Sequence, residues 1–303
     1  MPIIEIDNLT KDYETGFVRK RKVRALDGLS LTVDPGQIFG FLGANGAGKT
    51  TTLKLLMRLI FPTSGSARIL DRDISEISMH ARIGYLPENP YFYDYLTARE
   101  FLNYCDDLFG GNRTTRARRT EELLTRVSLD QKSWDRQMRK FSKGMLQRVG
   151  LAQAIINDPE IVFLDEPMSG LDPVGRREVR DLIASLRDEG KTVFMCSHIL
   201  SDIEVLCDSV AILKAGRLAH AGTLNELRAR ETSLVEVIAS GAEAQVLKQH
   251  LAINAEVTTE PSGLRIEVSD EKDVDEVIAA LRKVNGKLVS VQPVRQSLED
   301  LFV

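Results

Sequence analysis

Short apolar runs alternate with helical patterns along the first two hundred residues of the chain. Residues 38–42 and 161–164 are nearly all apolar, which is typical of strands buried on both faces. Over residues 29–33 apolar and polar side chains alternate, as in a half-buried strand. Further strands are predicted from Ile3 onward and over residues 192–196 and 210–213. Strands that alternate with helices predict a largely parallel sheet.

Helical periodicity follows the first buried strand. Leu53, Leu56, Met57 and Ile60 mark one face of a predicted helix. A second helix is predicted over residues 176–189 and leads to a further strand. These segments complete the pattern of an α/β domain.

The pattern becomes mainly helical between about Pro90 and Met138, where aromatic and charged residues are mixed. The apolar positions that carry the helical period there are Phe101, Leu102, Leu108, Leu123, Leu124 and Val127. We therefore predict a helical insert, over about residues 89–155, within an α/β domain of residues 1–224.

A different pattern begins after about residue 225. It predicts four strands and two helices in the order β-α-β-β-α-β, which is typical of a small split βαβ domain over residues 225–303. The strands are predicted over residues 234–238, 255–259, 264–268 and 287–291, and the helices over residues 244–250 and 274–284. The two middle strands flank the turn Pro261-Ser262-Gly263. No set of residues in this domain resembles a catalytic site.

Composition and charge exclude several classes of protein. Lys and Arg number 40 and Asp and Glu 44, so the net charge of −4 argues against a protein that wraps nucleic acid. No stretch approaches the eighteen uncharged apolar residues of a membrane helix, and MPIIEIDNLTKDY lacks the features of a secretory signal. The three cysteines are Cys105, Cys196 and Cys207, which form no CxxC pair and predict a reducing, cytoplasmic setting.

Candidate chemistry begins at a glycine-rich loop. Gly43-Ala44-Asn45-Gly46-Ala47-Gly48-Lys49-Thr50 fits G-x-x-x-x-G-K-[ST], follows a predicted buried strand and opens a predicted helix. Backbone N–H groups and the helix N-terminus would cradle phosphates, Lys49 would meet the β- and γ-phosphates, and Thr50 would offer a hydroxyl to Mg²⁺. This loop predicts that a nucleoside triphosphate binds.

Two acids end the second apolar run. Asp165 and Glu166 follow residues 161–164, and open parallel sheets bind ligands at the carboxyl ends of their strands. Asp165 is therefore predicted to reach Mg²⁺, and Glu166 to orient or deprotonate a water that attacks the γ-phosphate.

Further motifs give a resemblance to a known family. The segment Phe141-Ser142-Lys143-Gly144-Met145-Leu146-Gln147-Arg148 resembles the signature sequence of ATP-binding subunits of ABC transporters, and Ser169-Gly170-Leu171-Asp172 resembles their D-loop. His198, after a predicted strand, resembles the switch histidine, and Tyr13 the aromatic residue that stacks on adenine. The resemblance covers residues 1 to about 220 and includes six motifs in the expected order.

This resemblance implies an α/β P-loop ATPase with a mostly parallel core sheet, an antiparallel β subdomain and a helical insert, here with a small α+β C-terminal domain. It implies ATP and Mg²⁺ as cofactors, with Glu166, His198 and Lys49 as catalytic residues and Thr50, Glu88 and Asp165 at the metal. The implied nucleotide-binding residues are Tyr13, Gly43, Asn45, Gly46, Ala47, Gly48, Lys49, Thr50, Thr51, Ser142, Lys143, Gly144 and Asp172.

The sequence departs from the family pattern at four positions of its motifs. Phe141, Lys143 and Met145 replace the usual leucine, glycine and glutamine of the signature, and Glu88 replaces a usual glutamine. Ser142 also suits the N-cap of a helix, and Asp172 suits the N-cap before Pro173. Tyr13 also suits a core position.

Two surface features have alternative interpretations. The basic run Arg19-Lys20-Arg21-Lys22, with Arg24, is predicted to be a solvated loop or a contact with anionic lipid headgroups. The aromatic residues Tyr91, Phe92, Tyr93 and Tyr95 suit a local core, or the cleft that the resemblance implies for a cytoplasmic helix of a membrane subunit.

The resemblance implies a head-to-tail pair of ATPases, as a homodimer or with a paired subunit, at the cytoplasmic face of a bacterial membrane beside an integral permease. The C-terminal domain and the ending Ser297-Leu298-Glu299-Asp300-Leu301-Phe302-Val303 resemble those of ATPases of drug, lipid or polysaccharide exporters. The alternatives are a soluble ABC protein that acts on ribosomes or nucleic acid, and a regulator that senses ATP without hydrolysing it. Nucleic acid is not an expected partner, and the transported substrate is not encoded in this chain.

Overall fold

The computed structural model describes residues 1–15, 21–229, 233–251, 253, 255–260, 263–268 and 272–295. The chain divides into two compact units, Met1–Leu224 and Asn225–Val303. Within the described ranges, no helix combines the length and the apolar character needed to cross a bilayer.

The first unit contains ten strands and six helices in its described part. Its strands are β1 (Ile4–Thr15), β2 (Arg21–Val33), β3 (Ile38–Gly43), β4 (Ser64–Ile69), β5 (Arg72–Asp73), β6 (Ile83–Leu86), β7 (Ile161–Asp165), β8 (Thr192–Ser197), β9 (Ser209–Lys214) and β10 (Arg217–Thr223). Its helices are α1 (Lys49–Leu56), α2 (Ala98–Leu108), α3 (Arg116–Arg126), α4 (Lys143–Ala154), α5 (Pro173–Asp188) and α6 (Leu200–Leu206). Short 3₁₀ turns occur at Ile77–Arg82, Gln131–Ser133 and Met138–Lys140.

The core sheet of this unit has six strands in the order β10-β9-β3-β8-β7-β6. All neighbouring pairs are parallel except β9 with β10, which confirms the predicted mostly parallel sheet. Every residue of β3, β7 and β8 is buried. At its centre Phe194 packs against Phe39, Phe41 and Phe163, with ring centroids 5.3–5.5 Å apart. Because these strands are parallel and buried on both faces, the carboxyl ends of β3 and β7 are held at the same edge of the core sheet.

A second, antiparallel sheet has the order β2-β1-β4-β5 and forms the predicted β subdomain. The predicted basic loop is wrong for Arg21, Lys22 and Arg24, because β2 begins at Arg21 and pairs these residues with β1. Their side chains are exposed, and Arg24 lies 2.8 Å from Asp12. A strand of this solvated sheet can thus carry basic residues. Arg19 and Lys20 lie outside the described residues.

The helix after the glycine-rich loop is shorter than predicted. Helix α1 ends at Leu56, so Met57 and Ile60 lie beyond it although both pack against the core. Arg58 has φ 54°, a left-handed conformation that ends the helical path. The apolar period therefore continues past the last helical residue.

The predicted helical insert contains α2, α3 and α4. Helix α2 begins at a reciprocal cap, in which the Glu100 N–H donates to Thr97 Oγ1 and the Thr97 N–H donates to the Glu100 carboxylate. Phe101 and Leu102 are buried as predicted, whereas Leu108 is exposed. The buried stripe of α2 is thus narrower than its apolar pattern predicts.

The second unit follows the predicted βαββαβ order. Helix α7 (Leu224–Ala229) precedes β11 (Ser233–Ser240), α8 (Ala244–Lys248), β12 (Glu256–Glu260), β13 (Gly263–Val268), α9 (Asp273–Lys283) and β14 (Lys287–Arg295). The strands form an antiparallel sheet in the order β12-β13-β11-β14, with β11 and β12 on either side of β13. Its core includes Val237, Leu247, Ile266 and Val277. Pro261 and Ser262 of the predicted turn, and the ending Ser297–Val303, lie outside the described residues.

Candidate functional site

The loop between β3 and α1 has a backbone that requires glycine. Gly46 and Gly48 have φ of 82° and 110°, and Gly48 is the N-cap of α1. A Cβ atom on Gly48 would lie 2.7 Å from the carbonyl oxygen of Ala25. The loop therefore delivers its N–H groups and the helix N-terminus to one point, an arrangement that binds anions.

This point opens into a pocket of about 450 Å³ at the carboxyl ends of the core strands. The structure brings together predicted residues from four separate parts of the sequence. Those that line the pocket are Asn45, Gly46, Gly48, Lys49, Thr50, Thr51, Glu88, Glu166 and His198. Gly43 and Ala47 belong to the same loop, and both are buried. Ala25, Ala44 and Ser169 complete the lining, and none of the three was among the predicted site residues.

Lys49 carries a buried positive charge in this pocket. Its Nζ donates to the carbonyl oxygen of Gly43 at 2.6 Å and to that of Ala44 at 3.4 Å. The same atom lies 3.7 Å from Glu166 Oε1. The loop thus holds its lysine beside the position where phosphates would meet the N–H groups.

Glu166 lies directly after β7 in an unusual backbone conformation. Its φ is 51°, and its N–H donates to the carbonyl oxygen of Cys196 at 3.0 Å. Its Oε1 lies 2.9 Å from Nδ1 of His198, a side chain that is about half exposed. A buried carboxylate in contact with an accessible imidazole can accept a proton from a water molecule in the pocket.

Asp165 is the last residue of β7 and directly precedes Glu166. Neither of its buried carboxylate oxygens has a hydrogen-bond partner among the described residues. Burial raises the pKa of Asp165 to about 6, and the Glu166 and Glu88 carboxylates act in the same direction, while Thr50 and Lys49 oppose them. A buried carboxylate without a donor, close to a hydroxyl and a further carboxylate, fits a hard cation such as Mg²⁺.

This pKa shift predicts a pH-dependent stability. The folded protein holds a proton on Asp165 between about pH 4 and about pH 6 that the unfolded chain releases, so the stability that protonation gives is lost as the pH rises through this window. In thermal and denaturant unfolding without nucleotide or Mg²⁺, the stability of Asp165→Asn relative to wild type should increase by about 2 kcal/mol between about pH 4.5 and about pH 8. A difference that does not change with pH would contradict the shift.

The predicted signature residues lie outside the pocket of their own chain. Ser142 is exposed and caps α4, because its Oγ accepts from the Met145 N–H at 3.2 Å. Lys143 Nζ donates to Ser169 Oγ at 3.2 Å, and Gly144 packs beside Leu171. Asp172 caps α5 through the Gly175 N–H at 2.8 Å. None of Ser142, Lys143, Gly144 and Asp172 lines the described pocket.

Tyr13 also lies outside the pocket lining. It pairs with Val23 across β1 and β2, two positions from Ala25. Its ring is partly buried, and the Lys11 ammonium lies 5.1 Å from the ring centroid. The structure thus places the aromatic ring on the sheet that supplies Ala25 to the pocket wall.

The predicted aromatic set divides into two parts. Phe92 is buried and meets Phe101 edge-on at 5.1 Å, as a core residue does. Tyr91, Tyr93 and Tyr95 are exposed, and Tyr93 lies 6.1 Å from Tyr104. The local core and an exposed aromatic surface therefore both exist in this segment.

Two family models match the chain. Residues 26–169 match the family described as ABC transporter, and residues 222–303 match the family described as ATP-binding protein DrrA1-3-like, C-terminal domain. An uncharacterized ABC transporter ATP-binding protein of Synechocystis is 45% identical over 302 residues, which cover 99% of this chain and 84% of the relative. The bacitracin transport ATP-binding protein BcrA of Enterococcus faecalis is 34% identical over 306 residues, 99% of this chain and 95% of that protein.

Solved structures agree with these matches. The dimeric ATP-binding cassette MJ0796, in a post-hydrolysis state bound to ADP and Pi, superposes with a TM-score of 0.67 and 25% identity over 73% of this chain and 98% of that one. An ATP-binding subunit of an ABC transporter gives a TM-score of 0.66 and 29% identity over 75% and 92% of the two chains. These likenesses confirm the fold class and the family that the motifs indicate. With a resemblance that extends along nearly its whole length, the chain belongs to the ATP-binding subunits of ABC transporters, which hydrolyse ATP to drive transport.

Proposed function

We propose that two copies of this chain pair head to tail, and that each Ser142 segment completes the phosphate site of the partner. The observation that carries this proposal is the division of the site. The pocket of one chain holds the phosphate loop, the carboxylates and His198, whereas Ser142, Lys143 and Gly144 lie outside it at the exposed start of α4. The likeness to a dimeric cassette supports the same arrangement.

The phosphate loop would bind the triphosphate with charges and donors that it already directs to one point. Lys49 would exchange its two carbonyl partners for phosphate oxygens, and the N–H groups of residues 46–51 would donate to the same anions. Tyr13, on the sheet that carries Ala25, would stack on the adenine ring. Asn45 and Thr51 line the phosphate end of the pocket.

The carboxyl end of β7 would hold Mg²⁺. Asp165 has two buried oxygens without donors, and Thr50 and Glu88 line the pocket. When bound, the ion would neutralise phosphate charge. The fit rests on the unpaired Asp165 carboxylate, which a divalent cation would satisfy.

Hydrolysis would depend on Glu166 and His198. Glu166 would orient a water molecule and accept its proton. His198, which lies beside Glu166, would donate an N–H to the γ-phosphate once the Glu166 carboxylate binds that water. Closure of the pair around bound ATP would supply the mechanical step, and hydrolysis would let the pair open. Asp172, at the start of α5, would meet the partner across the interface.

We assign residues 1–224 to the ATPase domain and residues 225–303 to an accessory domain, and we place the pair at the cytoplasmic face of the membrane beside a permease. The exposed tyrosines Tyr91, Tyr93 and Tyr95 provide a surface for that permease. The DrrA-like C-terminal domain and a relative named for bacitracin transport favour export. A soluble role on ribosomes or nucleic acid is not favoured, since these relatives are transporter subunits.

A mixing experiment tests the shared site. Lys49→Ala removes the loop cation, and Ser142→Asp keeps an N-cap on α4 while its charge repels the partner's triphosphate. Each variant alone should be inactive. Mixed in equal amounts, half of the pairs contain both variants, and each such pair has one intact site, so ATPase activity should return to about a quarter of wild type.

The wild-type protein, carried through the same dissociation and mixing, gives the reference activity. A mixture that stays as inactive as its components would contradict the head-to-tail pair. A Ser142→Asp protein that is fully active alone would also contradict it.

A further inference from the structure

Helix α4 carries a buried amide that the proposed reaction does not use. Gln147 is 1% exposed, and Leu151, one turn later on the same face of α4, is also buried. A buried amide costs free energy unless it is hydrogen-bonded, so the hydrogen-bond partners of Gln147 indicate its role. Its Nε2 donates to the carbonyl oxygen of Pro167 at 2.9 Å and approaches that of Glu166 at 3.5 Å.

These two carbonyl groups belong to the turn that aims the Glu166 carboxylate. Glu166 adopts a left-handed φ of 51°, which costs about 1 kcal/mol in a residue other than glycine. Its N–H is tied to Cys196, and its carbonyl oxygen accepts from the Ser169 N–H at 3.0 Å. Pro167 has no N–H to donate, so its link to α4 is made through its carbonyl oxygen.

The start of α4 contacts the rest of the same segment. Lys143 bonds Ser169, and Gly144 packs against Leu171. Gln147 extends these contacts to the residues that follow β7 directly. Residues 166–171 therefore lie along the first two turns of α4.

We propose that Gln147 is a positioning residue for Glu166. Its amide holds the Pro167 carbonyl, in the peptide plane between Pro167 and Met168, and approaches the Glu166 carbonyl, in the plane that follows Glu166. These contacts keep the strained backbone in the conformation from which Oε1 reaches Nδ1 of His198. The inference rests on the proposed role of Glu166 in hydrolysis.

Loss of this bond should affect hydrolysis and leave nucleotide binding unchanged. Gln147→Met keeps the length and helix propensity of the side chain but removes the donor. Because a displacement of about 1 Å in a catalytic group can cost about 100-fold, kcat should fall about 10- to 100-fold. The ATP Kd should stay within about twofold, since Gln147 does not line the pocket. Gln153→Met, on the same helix, is the matched control and should keep wild-type kcat.

A double-mutant cycle with Glu166→Gln separates positioning from general damage. The residual single-turnover hydrolysis of Glu166→Gln should not fall further when Gln147→Met is added, because the group being positioned has already lost its function. An equal fold-loss in both backgrounds, or a parallel loss of ATP affinity, would overturn the proposal. If Glu166→Gln itself keeps full turnover, the proposed function fails instead. If Gln147→Met does not fold, Gln147→Leu, which removes the donor without burying a charge, replaces it in the same cycle.

Discussion

Glu166→Gln is expected to bind ATP and to hydrolyse it roughly 10²–10⁴-fold more slowly than wild type, the usual contribution of a general base. The amide keeps the shape of the side chain beside His198 but cannot accept a proton. It also removes a negative charge 3.7 Å from Lys49, so ATP affinity should not fall. ATPase turnover and calorimetric binding measure the two effects separately, and size-exclusion chromatography with ATP should reveal a trapped dimer.

Glu160→Gln is the matched control for this variant. Glu160 lies just before the opposite end of β7, where it pairs with Arg82 on the surface. Its replacement should leave hydrolysis unchanged. Undiminished turnover in Glu166→Gln would remove Glu166 from the role of base, and a strictly monomeric ATP-loaded protein would argue against the closed pair.

Lys49→Ala is expected to abolish measurable ATP binding, with an affinity loss of roughly 100-fold or more. The variant loses the buried ammonium group that would meet the phosphates. It also leaves Glu166 without the cation at 3.7 Å, so that the remaining carboxylates repel the triphosphate. Isothermal titration calorimetry with ATP is the direct measurement.

Lys54→Ala provides the control for Lys49→Ala. Lys54 lies on the same helix α1, but its side chain is exposed and does not line the pocket. Its replacement changes the net charge equally and should preserve affinity. An unchanged ATP affinity in Lys49→Ala would show that the loop binds phosphate through its N–H groups without the lysine.

The buried strands could be predicted from the sequence because their residues face apolar neighbours on both sides. Strands β3 and β7 are continuous apolar runs, and the phosphate loop and Asp165-Glu166 are contiguous with them. Strand β10 escaped prediction because its partly buried positions are Leu218, His220 and Gly222, which show no apolar alternation. The basic start of β2 was wrongly predicted to be a loop for the same reason, since solvated strands tolerate charge.

The parts of the site that could not be predicted depend on distant contacts. Ala25 lines the pocket because β2 passes beside Gly48, a proximity that no local pattern encodes. Gln147 stands in a segment that the family resemblance singles out, yet its partner at Pro167 appears only when α4 packs against the end of β7. The early end of α1 could not be predicted either, because Met57 and Ile60 keep the apolar spacing of a helix but pack against the core from a non-helical backbone.

The two acids at the end of β7 also affect the stability of the subunit. An acid buried without a donor and a glutamate in a glycine-like conformation adjoin there, and a chain selected for thermal endurance alone would keep neither. ATP and Mg²⁺ that bind beside these residues add their binding free energy to the stability of the folded state. The resting subunit is therefore its most fragile form, and resistance to heat and proteases rises with nucleotide supply.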